Sequence, residues 1–446
     1  MRIEIKEKIF FSKLMMEKYK YFLPANRING ISIDSRDIRE GDIFIGIEGK
    51  NFDGNEFSCE ALERGASLIV TNLKKNKIKS SKLLEVESTN NFIYDFSKSW
   101  VNNFDCEFVG ITGSNGKTST KEILYKFLST TYSTFKTPAN YNSTIGVPMS
   151  LFSMTKNIQI ALIEMGASNN NEIRHICSIV KPKYGIITNI SEAHTLSFGD
   201  IDGVIKAKSE LFHSLPKDGT AFVNYNDENV RAIKCESEEI KFGSNEKCEY
   251  VYRMNDKKNY SSFYINNEHI SLPQNSFSMF ANVFASYVVA KTFHVKSKYL
   301  HLEIKELKAT PGRCQIINKK EYKIIDDTYN ANLDSVLKGL EFLNNFNSKG
   351  NKIAVIGDMY ELGNLSDQHH LRIGEFISKT KINFLCSIGD YRKKIIKNVK
   401  GEAKSRAFDS IDEIVEYLNS ILGNGDVVYI KGSRGMKMER IIKMLK

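Results

Sequence analysis

The sequence predicts an α/β protein of three domains: a smaller N-terminal α/β domain, a central domain with a parallel sheet, and a Rossmann-like C-terminal domain. The chain has 446 residues, enough for two to four domains at about 100–200 residues each. Short apolar runs alternate with amphipathic stretches in two separate regions, and this alternation favours parallel sheets covered by helices. With 41% hydrophobic and 26% charged residues, the composition is that of a globular protein.

The first region, residues 1–105, combines short strands with a helix. Residues 31–33 and 43–47 are apolar runs of strand length. The stretch 56–64 has helical spacing and is followed by Gly65, a common helix stop. These features predict the small N-terminal α/β domain.

The second region, residues 106–308, alternates strand-length apolar runs with amphipathic stretches in its first half. The apolar runs are residues 108–111, 158–163 and 184–187, and the helical stretches are residues 121–129 and 172–180. Short apolar runs between helices are typical of parallel strands that are buried on both faces. We therefore expect a parallel sheet between two layers of helices.

The third region, residues 309–446, begins near Thr310-Pro311-Gly312 and repeats the alternation. Its expected strands and helix are residues 323–325, 352–356, 384–388 and 427–430, and residues 411–421. This pattern predicts a second open α/β sheet, a type that binds ligands at the carboxyl ends of its strands.

Composition argues against several classes of protein. The net charge of +10 comes from Lys and Arg without a block of like charges, so we expect an anionic small substrate and no nucleic-acid partner. Residues 1–21 lack the apolar core of a signal peptide, and no stretch approaches the roughly 18 apolar residues of a membrane span. Seven scattered cysteines favour a reducing cytoplasm.

The most specific motif is Gly110-Ile-Thr-Gly-Ser-Asn-Gly-Lys-Thr-Ser119, which follows an expected strand and precedes a helix. Glycines let backbone amides point at a phosphate, and the helix N-terminus adds its dipole. Lys117 supplies a charge for the β- and γ-phosphates, and the Thr118 hydroxyl can bind Mg²⁺. A standard P-loop would have glycine at position 111, where isoleucine stands. The alternative interpretation is an ordinary glycine-rich turn.

Polar residues follow the next two expected strands. Glu164 comes directly after the run 158–163, Asn189 ends the following strand, and His194 lies five residues beyond it. Because parallel strands end at one edge of the sheet, Glu164 and His194 could hold Mg²⁺ beside a nucleotide. A solvated strand end and an ordinary loop histidine are the alternatives.

Together these motifs resemble the Mur ligase family, and the resemblance covers nearly the whole chain. It implies that the central domain binds ATP, through the loop residues Gly113, Ser114, Asn115, Gly116, Lys117, Thr118 and Ser119. It also implies that Thr118, Glu164 and His194 bind one or two Mg²⁺ ions.

The resemblance also selects one of two lysines in the helical stretch 202–215. Lys206 and Lys208 lie on different faces of that helix, and residue chemistry alone does not choose between them. Residues 207–210 match the family segment that carries a carbamylated lysine, so Lys208 is expected to provide an anionic metal ligand. Lys117, His194 and Lys208 are the implied catalytic residues.

Further ATP contacts are implied in two places. Arg313 matches a phosphate contact and Asp327 a contact on the ribose side, while Asn282 of the central domain matches an asparagine near the adenine. Because Arg313 and Asp327 belong to a domain separate from the loop, we expect ATP to favour a closed arrangement of the domains.

Three stretches are typical of the branch of the family that adds D-alanyl-D-alanine: residues 326–332, 356–363 and 431–439. Two N-terminal segments resemble the uridine-binding site, and residues 137–144 resemble a loop near the muramyl group. The substrate-binding residues implied are Ser35, Lys50, Asn51, Asn142, Ser143, Thr144 and Asn330.

The resemblance therefore implies ATP-dependent joining of D-alanyl-D-alanine to a UDP-muramyl tripeptide through an acyl-phosphate, a step of peptidoglycan precursor synthesis. It further implies a cytoplasmic monomer that does not insert into membranes. The alternatives are the preceding Mur ligase, a folylpolyglutamate-type ligase, and a nucleotide-dependent switch module. Leu333, Ser276 and Ser278 depart from the family pattern, which has proline at the first position and often glycine and histidine at the others.

Overall fold

The computed structural model describes residues 1–49, 52–72, 80–192, 195–254, 262–273 and 277–445. These residues form three sheets of five, nine and six strands with helices packed against them. The prediction of an α/β fold with three domains is confirmed. Lys50, Asn51, His194 and Ser276 lie outside the described residues.

The N-terminal sheet has the strand order β1-β2-β3-β4-β5, in which only β1 is antiparallel to its neighbour. Its elements are β1 Arg2–Glu4, α1 Lys8–Tyr19, β2 Gly30–Ser32, β3 Ile43–Ile45, α2 Ser58–Glu63, β4 Leu68–Asn72, β5 Leu83–Val86 and α3 Thr89–Val101.

The first half of the central domain contains the strands and helices that form the phosphate loop and its neighbours. Its elements are β6 Glu107–Thr112, α4 Lys117–Ser129, β7 Thr134–Lys136, α5 Gly146–Leu151, β8 Ile160–Glu164, α6 Glu172–Val180, β9 Tyr184–Ile187, α7 Thr195–Phe198 and α8 Ile201–His213.

The second half extends the same sheet on one side. Its elements are β10 Thr220–Asn224, α9 Glu228–Arg231, β11 Glu238–Gly243, β12 Tyr250–Met254, β13 Ser262–Ile265, β14 Glu268–Ser271, α10 Phe280–Thr292 and α11 Ser297–Lys305. The sheet order is β14-β13-β12-β11-β10-β9-β6-β8-β7, parallel from β7 to β12 and antiparallel at β13 and β14. Strands β10 to β14 were not identified from the sequence.

The C-terminal sheet has the order β15-β16-β20-β17-β18-β19, with β15 antiparallel at the edge. Its elements are β15 Gln315–Asn318, β16 Lys323–Asp327, α12 Leu333–Asn345, β17 Lys352–Ile356, α13 Ser366–Ile377, β18 Phe384–Ile388, α14 Arg392–Lys397, β19 Lys404–Phe408, α15 Ile411–Ile421, β20 Val427–Lys431 and α16 Glu439–Met444. The domain boundaries expected at residues 105 and 308 stay predictions.

Most predicted elements agree closely with the structure, and the differences have local causes. The helix expected at residues 121–129 begins earlier, at Lys117, because Gly116 caps it in a left-handed conformation with φ of 82°. The helix expected at residues 56–64 is a 3₁₀ turn followed by the short α2. Strand β8 ends at Glu164 itself, so this carboxylate belongs to the sheet.

The N-terminal and central domains share one continuous apolar core. Trp100 of α3 is fully buried, and its indole Nε1 donates a hydrogen bond of 2.9 Å to the Leu151 carbonyl at the end of α5. Its ring lies 4.8 Å from that of Phe10 and 5.7 Å from that of Phe152, centroid to centroid. The N-terminal domain is therefore attached to one face of the central sheet by aromatic packing.

Within the described part of the chain, no helix has the length and apolar character that crossing a membrane requires.

We predict that Trp100→Ala lowers the free energy of unfolding by about 3–5 kcal/mol, because it leaves a cavity in this core. Trp100 is the only tryptophan, so denaturant unfolding is followed by circular dichroism. Ile9→Ala is the control, since Ile9 lies on the neighbouring α1 and is 81% exposed, and its effect should stay within about 0.5 kcal/mol. Equal unfolding midpoints for the two variants would contradict the prediction.

Candidate active site

The phosphate loop, residues 113–116, connects β6 to α4 at the carboxyl edge of the central sheet. Strand β6 lies between β8 and β9, so the loop has the ends of two parallel strands beside it. A helix N-terminus at this edge presents unpaired backbone amides and the positive end of the helix dipole. The loop that the sequence predicted to bind phosphate therefore lies where backbone amides are free to meet an anion.

Two glycines are required by the geometry of the loop. Gly113 has φ of 147°, and a Cβ added there would lie 1.9 Å from the Thr188 hydroxyl oxygen. Gly116 has φ of 82°, and its Cβ would lie 2.4 Å from Asn282 Oδ1. A side chain at either position would strain the backbone and clash with the neighbouring strand end or helix.

The loop is fixed to the residues that follow β9. Ser114 N–H donates to the Asn189 carbonyl at 2.9 Å, and Asn115 N–H donates to Asn189 Oδ1 at 3.0 Å. Asn189 Nδ2 and the Thr188 hydroxyl both donate back to the Asn115 carbonyl. Because these bonds occupy the amides of Ser114 and Asn115, the amides of Gly116 and of the first turn of α4 remain for a ligand.

Lys117 begins α4 and folds back over the loop. Its Nζ donates to the Gly113 carbonyl at 2.6 Å and to the Ser114 carbonyl at 3.3 Å. Burial lowers the pKa of Lys117 to about 8, an effect that the Glu164 carboxylate opposes and Arg313 reinforces. The ammonium group thus lies inside the loop, and a phosphate bound there would neutralise its positive charge.

Glu164, only 1% exposed, is contacted by three side chains, two from helix α4 and one from the segment 137–144. Its Oε1 accepts hydrogen bonds from the Thr118 hydroxyl and from Asn142 Nδ2, each at 2.9 Å. Its Oε2 is buried, lies 3.2 Å from Lys121 Nζ, and accepts no hydrogen bond of acceptable geometry. This carboxylate keeps capacity for a further cationic partner.

The described residues contain no group of three or more His, Cys, Asp and Glu side chains arranged to hold a metal ion. Glu164 and Thr118 are the predicted metal ligands that the structure brings together.

Lys121 was missed by the sequence analysis. It lies one helical turn after Lys117, is fully buried, and forms an ion pair with Glu164. The only sequence signal was its spacing of four residues from Lys117 on the same helix face.

Lys208 and Lys206 have opposite environments on α8. Lys208 is 2% exposed, whereas Lys206 is exposed. Burial lowers the pKa of Lys208 to about 7, and the nearby Lys117 charge lowers it further. Within the described residues, the Lys208 amine has no hydrogen bond or ion pair, so it is a buried amine close to the phosphate loop and poorly suited to remain an ammonium ion.

The C-terminal domain contacts the phosphate loop directly. Arg313 Nη2 donates to the Thr118 hydroxyl oxygen at 3.0 Å, and its guanidinium lies 4.0 Å above the centre of the Tyr329 ring. Asn115 and Asn332 exchange side-chain hydrogen bonds, and Asn115 also donates to Asp334 at 3.0 Å. The loop and the motif at residues 326–332 are therefore in contact.

Asp327 lies in a buried polar cluster. Its Oδ2 accepts hydrogen bonds from Lys431 Nζ at 2.6 Å and from the Tyr429 hydroxyl at 2.8 Å. Lys431 also donates to the Asn330 carbonyl at 2.9 Å. Leu333 stands where the family pattern has proline. Its side chain is buried at the first position of α12, and Asn332 caps this helix with a capping box, so the helix begins normally without the proline.

A small, partly open cleft lies beside the first turns of α4. Ser119, Asn282 and Arg313 are among its lining residues, as is Ser278. Asn282 Oδ1 accepts a hydrogen bond from the Thr120 hydroxyl at 3.2 Å. Three residues expected to contact ATP are thus brought to one cleft next to the phosphate loop.

The expected substrate-binding residues are divided among the three domains, with Asn330 in the C-terminal one. Ser35 is buried in the N-terminal domain, where its hydroxyl donates to Glu60 at 2.8 Å. Asn142 reaches Glu164, and the Ser143 hydroxyl oxygen accepts from Gly146 N–H at 3.0 Å. Thr144 is partly buried in the same segment.

Models of known protein families match most of the chain. Residues 27–99 match the Mur ligase family catalytic domain, residues 111–290 the Mur ligase middle domain, and residues 312–434 the Mur ligase glutamate ligase domain. The UDP-N-acetylmuramoyl-tripeptide–D-alanyl-D-alanine ligase of Buchnera aphidicola subsp. Baizongia pistaciae is 31% identical over 94% of this chain and 92% of the relative.

Solved structures agree with the sequence relatives. The MurF ligase of Thermotoga maritima in complex with ADP has a TM-score of 0.81 and 30% identity, covering 93% of this chain and 96% of that one. MurF from Acinetobacter baumannii has a TM-score of 0.86 and 25% identity, covering 97% and 98% of the two chains. Family models, sequence relatives and fold coincide over all three domains, and the chain belongs to the Mur ligase family.

Proposed function

We propose that this chain is an ATP-dependent ligase that joins D-alanyl-D-alanine to UDP-N-acetylmuramoyl tripeptide. The observation that carries the proposal is the meeting of three groups at Thr118: the phosphate loop, the Glu164 carboxylate and Arg313 of the C-terminal domain. Transfer of a phosphoryl group needs cations around the phosphates and an anion to hold the metal, and these groups supply both. The names of the relatives and of the ADP-bound MurF ligase support the same substrates.

ATP would bind with its phosphates at the start of α4. The amides of Gly116 and of the first helical turn face the anion, and Lys117 and Arg313 add two positive charges. The adenosine would occupy the adjoining cleft beside Asn282 and Ser119. Asp327 is on the ribose side in this arrangement, with Lys431 fixing its carboxylate.

Mg²⁺ fits the donor set, because Glu164 keeps one buried oxygen without a hydrogen bond. Glu164, Thr118, His194 and a carbamylated Lys208 would hold one or two ions. When bound, the metal supplies a Lewis acid that neutralises charge on the phosphate oxygens. The carbamate fits as well, because its formation requires a neutral amine, and Lys208 has a pKa of about 7.

The reaction proceeds in two steps. An oxygen of the tripeptide's terminal carboxylate attacks the γ-phosphorus, the bond to the β-phosphate oxygen breaks, and ADP and an acyl-phosphate form. The D-alanyl-D-alanine amine then attacks the acyl carbon, loses a proton, and expels phosphate from a tetrahedral intermediate. Lys117 and Arg313 stabilise the phosphoryl charge in the first step, and the remaining contribution of the enzyme is to position the substrates.

The UDP-linked substrate would bridge the N-terminal and central domains. An open surface cleft is lined by Arg2, Arg36 and Arg39 together with Tyr141 of the segment 137–144. Its position next to Ser35 and its arginines suit a pyrophosphate between a nucleoside and a muramyl group. Cytoplasmic location and a monomeric state stay predictions.

The D-alanyl-D-alanine site is proposed at residues 356–363. His370 is buried, its Nε2 accepts a hydrogen bond of 2.9 Å from Met359 N–H, and its ring stacks on Tyr391. The same segment contacts the central domain, because the Glu361 carbonyl accepts from Leu196 N–H at 3.0 Å. The segment is thus held at the boundary between the two domains.

We predict that purified protein releases phosphate from ATP only when a UDP-muramyl tripeptide and D-alanyl-D-alanine are both present, with formation of the pentapeptide product. The measurement is ADP and phosphate release across a panel of UDP-muramyl peptides, with and without the dipeptide, and mass spectrometry of the products. If the protein instead consumes ATP with a UDP-muramyl dipeptide and a single amino acid, the result would indicate the preceding Mur ligase. ATP hydrolysis that ignores both substrates would indicate a switch module.

We predict that Lys117→Ala lowers kcat about 10²–10³-fold while the fold survives, because one charge next to the transferring phosphate is lost. Turnover is measured with saturating substrates, and circular dichroism and thermal unfolding check the fold. Turnover close to that of the unmodified protein would show that Lys117 only stabilises the loop.

We predict that Lys208→Ala loses about 10–100-fold in activity or more, because an anionic metal ligand is missing. A short-chain carboxylic acid added to the assay should restore part of this activity by replacing the carbamate. Lys206→Ala is the matched control, since Lys206 is an exposed lysine of the same helix. An active Lys208→Ala beside an inactive Lys206→Ala would reverse the assignment.

A further inference from the structure

Lys121 is a fully buried lysine at the centre of the site. Its Nζ donates to the carbonyl oxygens of Thr137 and Ala139, each at 2.8 Å, and lies 3.2 Å from Glu164 Oε2. Its side chain has no exposed surface, and that of Glu164 is 1% exposed. A buried ammonium ion requires such a complete set of partners, because its desolvation is costly.

The partners of Lys121 belong to two different parts of the site. Glu164 is the carboxylate that accepts from Thr118 of the nucleotide-binding helix. Thr137 and Ala139 begin the segment 137–144, which continues to Asn142 and the proposed muramyl site. One ammonium group therefore connects the nucleotide side of the site with the substrate side.

The backbone that Lys121 holds is strained. Ala139 has φ of 46°, in the left-handed region that non-glycine residues rarely adopt. The hydrogen bonds from Lys121 to the carbonyls on both sides of Pro138 fix this conformation. Two residues later the segment reaches Tyr141, and Asn142 then bonds to Glu164, so the same carboxylate is held from two directions.

We propose that Lys121 is a positioning residue that couples the nucleotide-binding helix to the substrate segment 137–144, an inference that rests on the proposed function. Its charge fixes the orientation of the Glu164 carboxylate, and its two hydrogen bonds fix the start of the segment. Lys121 does not contact the phosphate loop itself. Its loss should therefore impair binding of the UDP-linked substrate and the chemical step, while nucleotide affinity is retained.

The test is Lys121→Met, which keeps the length and apolar character of the side chain and removes the charge. Calorimetry measures the dissociation constant of a non-hydrolysable ATP analogue, and then that of UDP-muramyl tripeptide with the analogue saturating. We expect the tripeptide constant to rise about tenfold or more, the equivalent of one lost hydrogen bond to a charged group. The analogue constant should change less than about threefold, and kcat should fall with KM for ATP unchanged.

Lys136→Met is the matched control. Lys136 forms an ion pair with Glu122, which also lies 3.5 Å from Lys121, but Lys136 has no contact with Glu164 in the described structure. This variant should bind both ligands as the unmodified protein does. If Lys121→Met does not fold, Lys121→Gln takes its place, because the amide retains hydrogen-bond donors, and its tripeptide constant should rise about threefold or more.

The outcomes separate this inference from the proposed function. If the unmodified protein does not bind UDP-muramyl tripeptide, the proposed function fails. If it binds the tripeptide and a folded Lys121 variant binds it equally well, Lys121 serves only the stability of the fold and the inference is overturned. A fall in melting temperature with both dissociation constants unchanged leads to the same conclusion.

Discussion

The burial of the Glu164 carboxylate is the constraint on which the arrangement of the site depends. A carboxylate that is 1% exposed at the end of a central strand must be surrounded by donors. Thr118 of helix α4 and Asn142 of the segment 137–144 donate hydrogen bonds to it, and Lys121 of the same helix forms an ion pair with it. Satisfying one buried charge therefore fixes the relative position of the nucleotide-binding helix and the substrate segment.

The C-terminal domain also holds side chains of the site in position. Arg313 completes the hydrogen bonds of Thr118, and Asn332 pairs with Asn115 of the phosphate loop. A contact of 3.0 Å between His369 Nε2 and Glu192 Oε2 joins the same two domains at another point. The sequence analysis expected ATP to favour a closed arrangement. In the structure, side chains of the two domains are joined directly by these hydrogen bonds.

The sequence predicted several strands with continuous apolar runs well, because burial on both faces of a parallel sheet leaves a strong pattern, although the buried strand β10 was not identified. Strands β9, β17 and β18 agree to the residue. The edge hairpin β13–β14 was not identified, since its half-exposed strands have a weaker pattern. Lys121 was missed and the environments of Lys206 and Lys208 could not be distinguished by chemistry, because the burial of a lysine depends on packing between distant segments.

The same limit applies to Asp327, whose partners Tyr429 and Lys431 lie about a hundred positions away in the chain. The sequence placed Asp327 near the nucleotide through resemblance alone. Its hydrogen bonds show that Lys431, in a stretch typical of the D-alanyl-D-alanine branch, fixes the orientation of this carboxylate. Long-range pairs of this kind are absent from local sequence patterns.

The aromatic core around Trp100 has a consequence for how the molecule can be divided. The N-terminal and central domains share buried apolar side chains, whereas the contacts described between the central and C-terminal domains include hydrogen bonds and a polar contact between His369 and Glu192. When a domain is removed, water can take the place of lost hydrogen-bond partners at a small cost in free energy. Newly exposed apolar side chains gain no such compensation from water. A recombinant fragment that begins after α3 would expose part of this core and aggregate, whereas a fragment that ends before β15 would keep it covered.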